Sequence, residues 1–384
     1  MNDIYLTEEH NMIRKTVRDF AEREIKPIAQ ELDEKEEFSI ELTAKMGEIG
    51  LFGLRTPEEY GGLDMDNLDY VIAVEELARI DGSQAATIAA HTSLGCGPIM
   101  NYGNAEQKRK YLPMLATGHS LWAFGLTEPD AGSDSRNTKT TARLEDDHWI
   151  INGSKIFITN GSASISKGAT VQAVTGEVNG QKEFSTILVD ADTPGFTRRT
   201  MHGKLMWRSS DTCEMFFTDC KVPYSNLLGK RGEGSKIMLN TLDSGRLAIG
   251  AMGLGCAQGA FELALKYAKE RKQFGKPIAT FQINAFKLAD MATKIELARN
   301  LLYKGAWLKS SGQPFAKEAA MAKLYCSEIA REVADEAVQI HGGYGLMKEY
   351  PIERFYRDQR LLQIGEGTSE IQRLVISRYI GCYD

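Results

Sequence analysis

The sequence has no surplus of positive charge: 46 lysines and arginines stand against 52 aspartates and glutamates, a formal net charge of −6 over 384 residues. Phosphate-tracking surfaces need clustered cations, so nothing suggests a nucleic-acid partner. The six cysteines, Cys96, Cys213, Cys220, Cys256, Cys326 and Cys382, occur singly and form no C-x-x-C pair, which argues against disulfides and zinc. The six histidines are equally scattered and never repeat at the H-x-x-x-H spacing that puts two rings on one helix face, so no metal site is expected. No apolar run approaches a membrane span, and the polar, acidic start MNDIYLTEEHNMIRK lacks a signal-peptide core; the expected location is cytoplasmic. No G-x-G-x-x-G follows a β-rich run, and strands do not alternate with helices, which disfavours a doubly wound dinucleotide fold.

What is present reads as three blocks. From Glu8 to about Glu31, Met12, Ile13, Val17, Phe20, Ala21, Ile25 and Ile28 recur at helical spacing, with a bend expected at Pro27. SIELTAKMGEIGL, LDYVIAVEELARI and AEQKRKYLPML continue the pattern, so residues 1–120 are expected to be helical. Near Leu121 the texture changes. DDHWIINGSKIFITNG sets two β-rich runs around Asn152-Gly153, a hairpin signal, and EFSTILVDADTPGF and TCEMFFTDCKVPYSNLLG add strands, giving a central antiparallel β-domain over 121–228. Long helical patterns return at Ser235–Glu270, Phe281–Lys309 and Lys317–Ile340 and from Ser369, and imply a C-terminal four-helix bundle over 229–384. The expected architecture is α+β and multidomain.

Several segments could carry chemistry. In QIGEGTSEIQR, Glu366 stands between Gly365 and Gly367, and Ser369 with Gln372 fits a capping box, so a lone carboxylate would sit just before the positive end of a helix. A solvated loop carboxylate would look the same. FGLTEPDAGSD, Phe124 to Asp134, is either a plain loop or a set of backbone groups and hydroxyls for a flat heterocycle. ERKQFGKPIATFQ joins Arg271, Lys272 and Lys276 to Phe274: a phosphate-and-stacking turn, or ordinary helix-end charges. QIHGGYG ends a helix with glycines that cap it or bare its backbone to a ligand. Asp243 and Arg246 lie three apart, to hold a polar ligand or as an exposed ion pair. GAMGLGCAQGA reads as small residues for close helix packing.

Taken in order, YGG at Tyr60, YLPMLATG at Tyr111, FGLTEPDAGSD, INGSKIFITNG, VPYSNLLG, YAKERKQFGKPIATFQ, QIHGGYG, YPIERFYRD and GEGTSEIQR resemble the flavin-dependent acyl-CoA dehydrogenases over essentially the whole chain. The resemblance implies FAD, a homotetramer, and electron-transferring flavoprotein as acceptor. It implies that Phe124, Leu126, Thr127, Gly132 and Ser133, with Phe157, Ile158 and Thr159, surround the isoalloxazine. Arg271, Gln273, Phe274, Phe281, Gln282, Gln339, Gly342, Gly343, Thr368 and Glu370 would bind the ADP part, some from a neighbouring subunit. Ser133, Asp243, Arg246 and Gly367 would contact the acyl-CoA. Glu366 corresponds to the base that takes the C2 proton while a hydride leaves C3 for flavin N5, giving a 2-enoyl-CoA. Three departures bear on the substrate: Gly365 replaces the tyrosine many members carry, His91 falls where the acyl cavity is lined, and Ala85 stands where glutaryl-CoA members place an arginine. His91 is either a substrate contact or a satisfied core histidine. A short or medium acyl-CoA with branching or a ring near the thioester is the expected substrate. An acyl-CoA oxidase and a non-catalytic FAD-bearing scaffold are the alternatives.

Overall fold

A computed structural model describes residues 6–383; residues 1–5 and residue 384, the outer ends of the two helical blocks expected above, lie outside the described residues. The chain opens with α1 (Glu8–Phe20), α2 (Ala29–Lys35), α3 (Ile40–Glu48), α4 (Asn67–Ala78), α5 (Gly82–Ala89), α6 (Gly97–Tyr102) and α7 (Ala105–Leu115). The helix expected to run to Glu31 breaks where proline demands it, but earlier than Pro27. After Phe20 the chain widens into a π-turn, Ala21–Ile25, closed by the Lys26 N–H on the Ala21 carbonyl, immediately before the residue that has no N–H to give. A second π-turn, Ala90–Cys96, follows α5.

The middle of the chain forms one sheet of β1 (Leu121–Gly125), β2 (Thr141–Glu145), β3 (His148–Thr159), β4 (Ser166–Val178), β5 (Gln181–Asp190), β6 (Phe196–Thr200), β7 (Thr212–Pro223) and β8 (Leu227–Leu228). The order is β6-β7-β3-β2-β4-β5-β8, with β1 also beside β4. Most pairings are antiparallel as expected, but β1 and β2 run parallel to β4, because each reaches it through a long excursion and not a tight turn. Asn152-Gly153 is not the hairpin turn. Asp146 and Asp147 make that turn, Asp146 at φ 52°, while Gly153 lies inside β3 at a bulge opposite β7. Its backbone passes so close to Thr140 that a Cβ would sit 2.5 Å from the Thr140 hydroxyl, so the glycine serves close approach.

The last block holds α8 (Gly234–Glu270), the two-stranded ribbon β9 (Lys272–Gln273) and β10 (Lys276–Pro277), α9 (Gln282–Ser310), α10 (Ala316–His341), α11 (Ile352–Leu362) and α12 (Ser369–Tyr379). α11 was not expected as a separate helix: IERFYRDQRLL is mostly polar, yet Ile352, Phe355 and Leu362 recur at helical spacing and are buried. Against expectation, α8 is by length and composition apolar enough to cross a membrane, with a mean hydropathy of 1.3 over its best window; 78% of that window is buried inside the protein. Its small residues do the packing expected of them. A Cβ on Gly255 would strike the carbonyl of Glu75, and one on Gly259 the carbonyl of Arg79, so α8 and α4 touch through backbone. Charged groups lock the same seam: Arg79 bonds Glu76 at 3.1 Å, Glu22 at 2.8 Å and Glu262 at 2.8 Å.

Candidate active site

The turn between α11 and α12 carries two successive left-handed residues, Glu366 at φ 53° and Gly367 at φ 92°. A glutamate in that region costs on the order of 1 kcal/mol or more, and survives only where its surroundings impose it. Here they do. Lys323, fully buried on α10, donates from Nζ to the Gly367 carbonyl at 2.7 Å. Gln372 reaches back from α12 to the carbonyls of Glu366 at 3.2 Å and Gly367 at 2.9 Å, and the Ser369 N–H closes on the Gln363 carbonyl at 3.0 Å. The expected capping box at Ser369 is therefore replaced. Thr368 is the cap, its hydroxyl accepting from the Ile371 N–H at 3.3 Å, while Ser369 donates to Glu328 at 2.8 Å. Gln372 is drawn to the strained turn by two carbonyls there, that of Glu366 and that of Gly367, the latter shared with Lys323.

The carboxylate of Glu366 is half-buried as a residue, but its Oε2 is sealed from solvent and has no hydrogen-bond partner among the described residues. It lies against α8 where that helix has no side chain: a Cβ on Gly245 would overlap Oε2 and sit 3.0 Å from Leu94 Cδ2. Burial raises the carboxyl to about pKa 7, against the pull of the Lys323 and Arg246 charges. The Glu366 N–H also donates to no group among the described residues. An unpaired carboxylate near neutrality beside a bare backbone donor has the properties of a general base with a hydrogen bond ready for a developing oxyanion.

Asp243 and Arg246 are paired on α8, as their spacing suggested, but they are enclosed and not an exposed surface pair. Arg246 keeps an unpartnered Nε, and burial raises the Asp243 carboxyl despite its partner. Leu94 comes from the π-turn after α5 and packs with Phe124, Leu126, Met238 and Leu242, so the apolar wall beside Glu366 draws on all three blocks. His91, expected as a possible substrate contact, is in the core instead. It is fully buried; Nε2 meets the Leu115 carbonyl at 2.9 Å and Nδ1 accepts from the Trp122 N–H at 3.3 Å. Burial pulls it down to about pKa 4, so both nitrogens of a neutral ring are used in joining α7 and β1 to the π-turn.

FGLTEPDAGSD is not a plain loop. The Ile156 N–H bonds the Thr127 carbonyl at 3.0 Å. Fully buried Lys155 donates to the Leu126 carbonyl at 3.1 Å and to Glu128 at 2.7 Å, and Glu128 also takes the N–H groups of Lys139 at 2.6 Å and Thr140 at 3.1 Å. This joins Phe124–Thr127 to Phe157–Thr159, the two segments expected to share a ligand. Phe124, Leu126 and Ile158 are buried, Thr127 and Thr159 half-buried, and Gly132 and Ser133 exposed. Phe157 holds φ 59° with 64% of its surface exposed, an aromatic ring presented on a strained backbone. Lys155→Met would leave Glu128 buried without its counter-charge. The expected result is a loss of about 3–5 kcal/mol in chemical denaturation; a loss below 1 kcal/mol would show that the pair does not hold the loop.

Arg271, Gln273, Gly342 and Gly343 line one cleft of about 500 Å³ with Tyr267, Tyr344 and Met347. The Arg271 guanidinium lies 5.5 Å over the Tyr344 ring. Gly342 caps α10 and also bares backbone: a Cβ on it or on Gly343 would meet nothing within 4 Å. Phe274 is 94% exposed at the ribbon tip, with its ring 6.0 Å from Phe281. Gln282, Gln339 and Glu370 are exposed, and the Thr368 hydroxyl is engaged as a cap. A cation, an aromatic face and open glycine backbone are the donor set a diphosphate with a stacked ring requires, so the residues present fit FAD. The one group with metal-ligand proximity among the described residues, His10, Asp66 and Asp69, has structural work: His10 Nδ1 accepts from the Thr7 N–H at 3.0 Å, which leaves the proton on the nitrogen facing the aspartates.

Lys155, Glu128, Lys323 and Gly245 were not singled out from sequence. The two lysines and the glycine carried faint signals, a lysine at an inward position of a β-rich run, a lysine inside the apolar AAMAKLYC and a glycine within a long helix, whereas Glu128 carried none beyond its place in FGLTEPDAGSD.

A helix–sheet–helix chain whose strained turn holds a near-neutral carboxylate beside an apolar wall has a group suited to taking up a proton in an enclosed site. Models of the acyl-CoA dehydrogenase N-terminal, middle and C-terminal domains match residues 7–119, 123–220 and 232–381. The chain is 50% identical to the probable acyl-CoA dehydrogenase YngJ of Bacillus subtilis and 48% identical to the short-chain specific acyl-CoA dehydrogenase of Clostridium acetobutylicum, each over 98% of both chains. It superposes with a TM-score of 0.96, at 46% identity and full coverage of both chains, on a chain solved in a study of the electron transferring flavoprotein of Acidaminococcus fermentans and flavin-based electron bifurcation. The protein belongs to the acyl-CoA dehydrogenase family. It is an FAD-dependent oxidoreductase that dehydrogenates acyl-CoA thioesters.

Proposed function

We propose that Glu366 is the catalytic base, removing the C2 proton of a short acyl-CoA whose chain can branch or close into a ring near the thioester. The observation that carries this is the enclosed, unpartnered Glu366 Oε2 at about pKa 7. The unpaired Glu366 N–H is placed to donate to the thioester oxygen as negative charge develops there. Arg246, Asp243 and the exposed Ser133 would hold polar parts of the substrate, with Gly367 close by. FAD, when bound, accepts the hydride that leaves C3, yielding the 2-enoyl-CoA. Phe124–Ser133 and Phe157–Thr159 would hold its ring system, and Arg271, Gln273, Phe274, Phe281, Gln282, Gln339, Gly342, Gly343, Thr368 and Glu370 its ADP portion.

Chain length and branching rest on different supports. The similarity to a short-chain specific relative favours a short acyl group. Space beside C2 and C3 follows from Gly365, where a Cβ would meet only Leu361, at 3.6 Å: no crowding requires glycine, and leaving the position bare widens the pocket. Anaerobic bleaching of the flavin by a panel of CoA thioesters tests both. Bleaching is expected with butyryl-CoA and with isobutyryl- or cyclohexanecarbonyl-CoA; turnover of the linear esters alone would overturn the branched or cyclic reading.

Assembly as a homotetramer is part of the proposal. Among the described residues the cleft assigned to the ADP portion is lined by residues between 267 and 347 and by none of the β-domain segments assigned to the ring system. Ile283, Phe286 and Leu297 are exposed along α9, apolar surface suited to a subunit contact. Light scattering should give four times the chain mass of 42.6 kDa. The proposed electron acceptor is an electron-transferring flavoprotein, supported by the setting of the similar chain; reoxidation by dioxygen at a comparable rate would instead favour an oxidase.

A further inference from the structure

We propose that Lys323 is a positioning residue for the catalytic base: its ammonium group holds the Gly367 carbonyl and supplies positive charge that favours the ionised form of the Glu366 carboxylate. The inference rests on Glu366 being the base. Lys323 is fully buried within α10, where a lysine is rarely found without a partner. Among the described residues its one hydrogen bond is to a backbone carbonyl, Gly367 O at 2.7 Å, and it has no salt bridge. A buried ammonium with a carbonyl but no carboxylate bonded to it is costly, and of the neighbouring negative charges that offset the cost, Glu366, Glu328 and Glu370, the foremost is Glu366.

The surroundings of the turn are few enough to name. Arg246 approaches from α8 with its charge partly neutralised by Asp243; Lys323 and Glu328 come from α10; Glu370 stands at the start of α12; Tyr70, on α4, is a neutral phenol bonded to the Ala89 carbonyl at 2.9 Å. Lys323 is the buried cation tied to the base's own turn. Burial lowers it to about pKa 8 and raises Glu366 to about 7, so the ammonium form predominates over the acidic side of the Glu366 titration. The second tie on that turn, Gln372, holds the same carbonyl without charge, which gives the inference a built-in control.

The sign is fixed by the chemistry. Glu366 must be deprotonated to act, so kcat/KM rises with pH through its pKa, and removing a nearby positive charge moves that limb to higher pH. Three variants separate charge from tether. Lys323→Gln keeps a donor and loses the charge; Lys323→Met loses both; Gln372→Leu loses one neutral donor and keeps the charge. Both lysine variants are expected to shift the acidic limb up by about one pH unit, as one opposite charge nearby is able to do. Gln372→Leu is expected to lower kcat with the limb in place. A readout independent of turnover is the pH at which the melting temperature of each variant diverges from that of the same variant carrying Glu366→Gln, and it should move by the same amount. An unmoved limb and divergence point in a folded Lys323→Gln, or an equal shift in Gln372→Leu, would overturn the inference. Should Glu366→Gln on the native background keep its activity, the base assignment fails first.

Discussion

Glu366→Gln is expected to retain FAD and to lose on the order of 10³–10⁴-fold or more in turnover, measured as anaerobic flavin bleaching by a short acyl-CoA. The amide matches the carboxylate in shape and cannot take the C2 proton, so binding is left intact and the chemical step is removed. The same substitution should stabilise the protein above pH 7. The Glu366 carboxyl is raised to about 7 in the folded chain from an ordinary 4.5, so between those values the folded state binds the proton that the unfolded state has released. Stability must then fall as pH rises through that window, and the loss is complete above the folded value. A neutral amide abolishes it. Native and variant melting temperatures should therefore coincide near pH 4 and separate above pH 7, with the variant higher. Retained activity would falsify the role of the base; a variant that melts lower at pH 8 would show that the carboxylate is not held against its own burial.

Gly245→Ala is expected to cost on the order of 10²-fold in kcat/KM with no loss of stability. Alanine in a helix interior is favoured over glycine by about 0.5–1 kcal/mol. Yet the added methyl would occupy the place of Glu366 Oε2 and crowd Leu94 at 3.0 Å. The flexible end of the glutamate must give way, and a displacement near 1 Å in a reacting group is worth about a hundredfold. Steady-state kinetics beside a denaturant titration checks this. A variant within twofold of native activity would mean that the base does not work from the position seen in this structure.

Much of the molecule was legible because the signals are local. The period of Met12, Val17 and Phe20, the small residues of α8 and the glycines around Glu366 each report on a few neighbouring residues, and each led to the right kind of element. The failures have a common cause. Asn152-Gly153 has the chemistry of a turn, but Thr140, a distant residue in sequence, needed its bare backbone inside a strand. Ser369 and Gln372 fit a cap, but two carbonyls at the strained turn competed for Gln372 and Glu328 took the serine. His91 could be read two ways until the Leu115 carbonyl and the Trp122 N–H settled its nitrogens.

Composition and periodicity alone determined the three-block order, the lack of a disulfide or zinc pattern, and a carboxylate flanked by glycines at 366. What the tertiary structure decided is the state of that carboxylate. Its height on the pH scale comes from the closure of α8 and α10 over it, its strained backbone from Lys323 and Gln372, and its free oxygen from a missing side chain at Gly245. These are contacts between residues 44 to 121 positions apart, or within one turn and the helix after it. Desolvation depends on everything that surrounds a group, and no short window of sequence contains that.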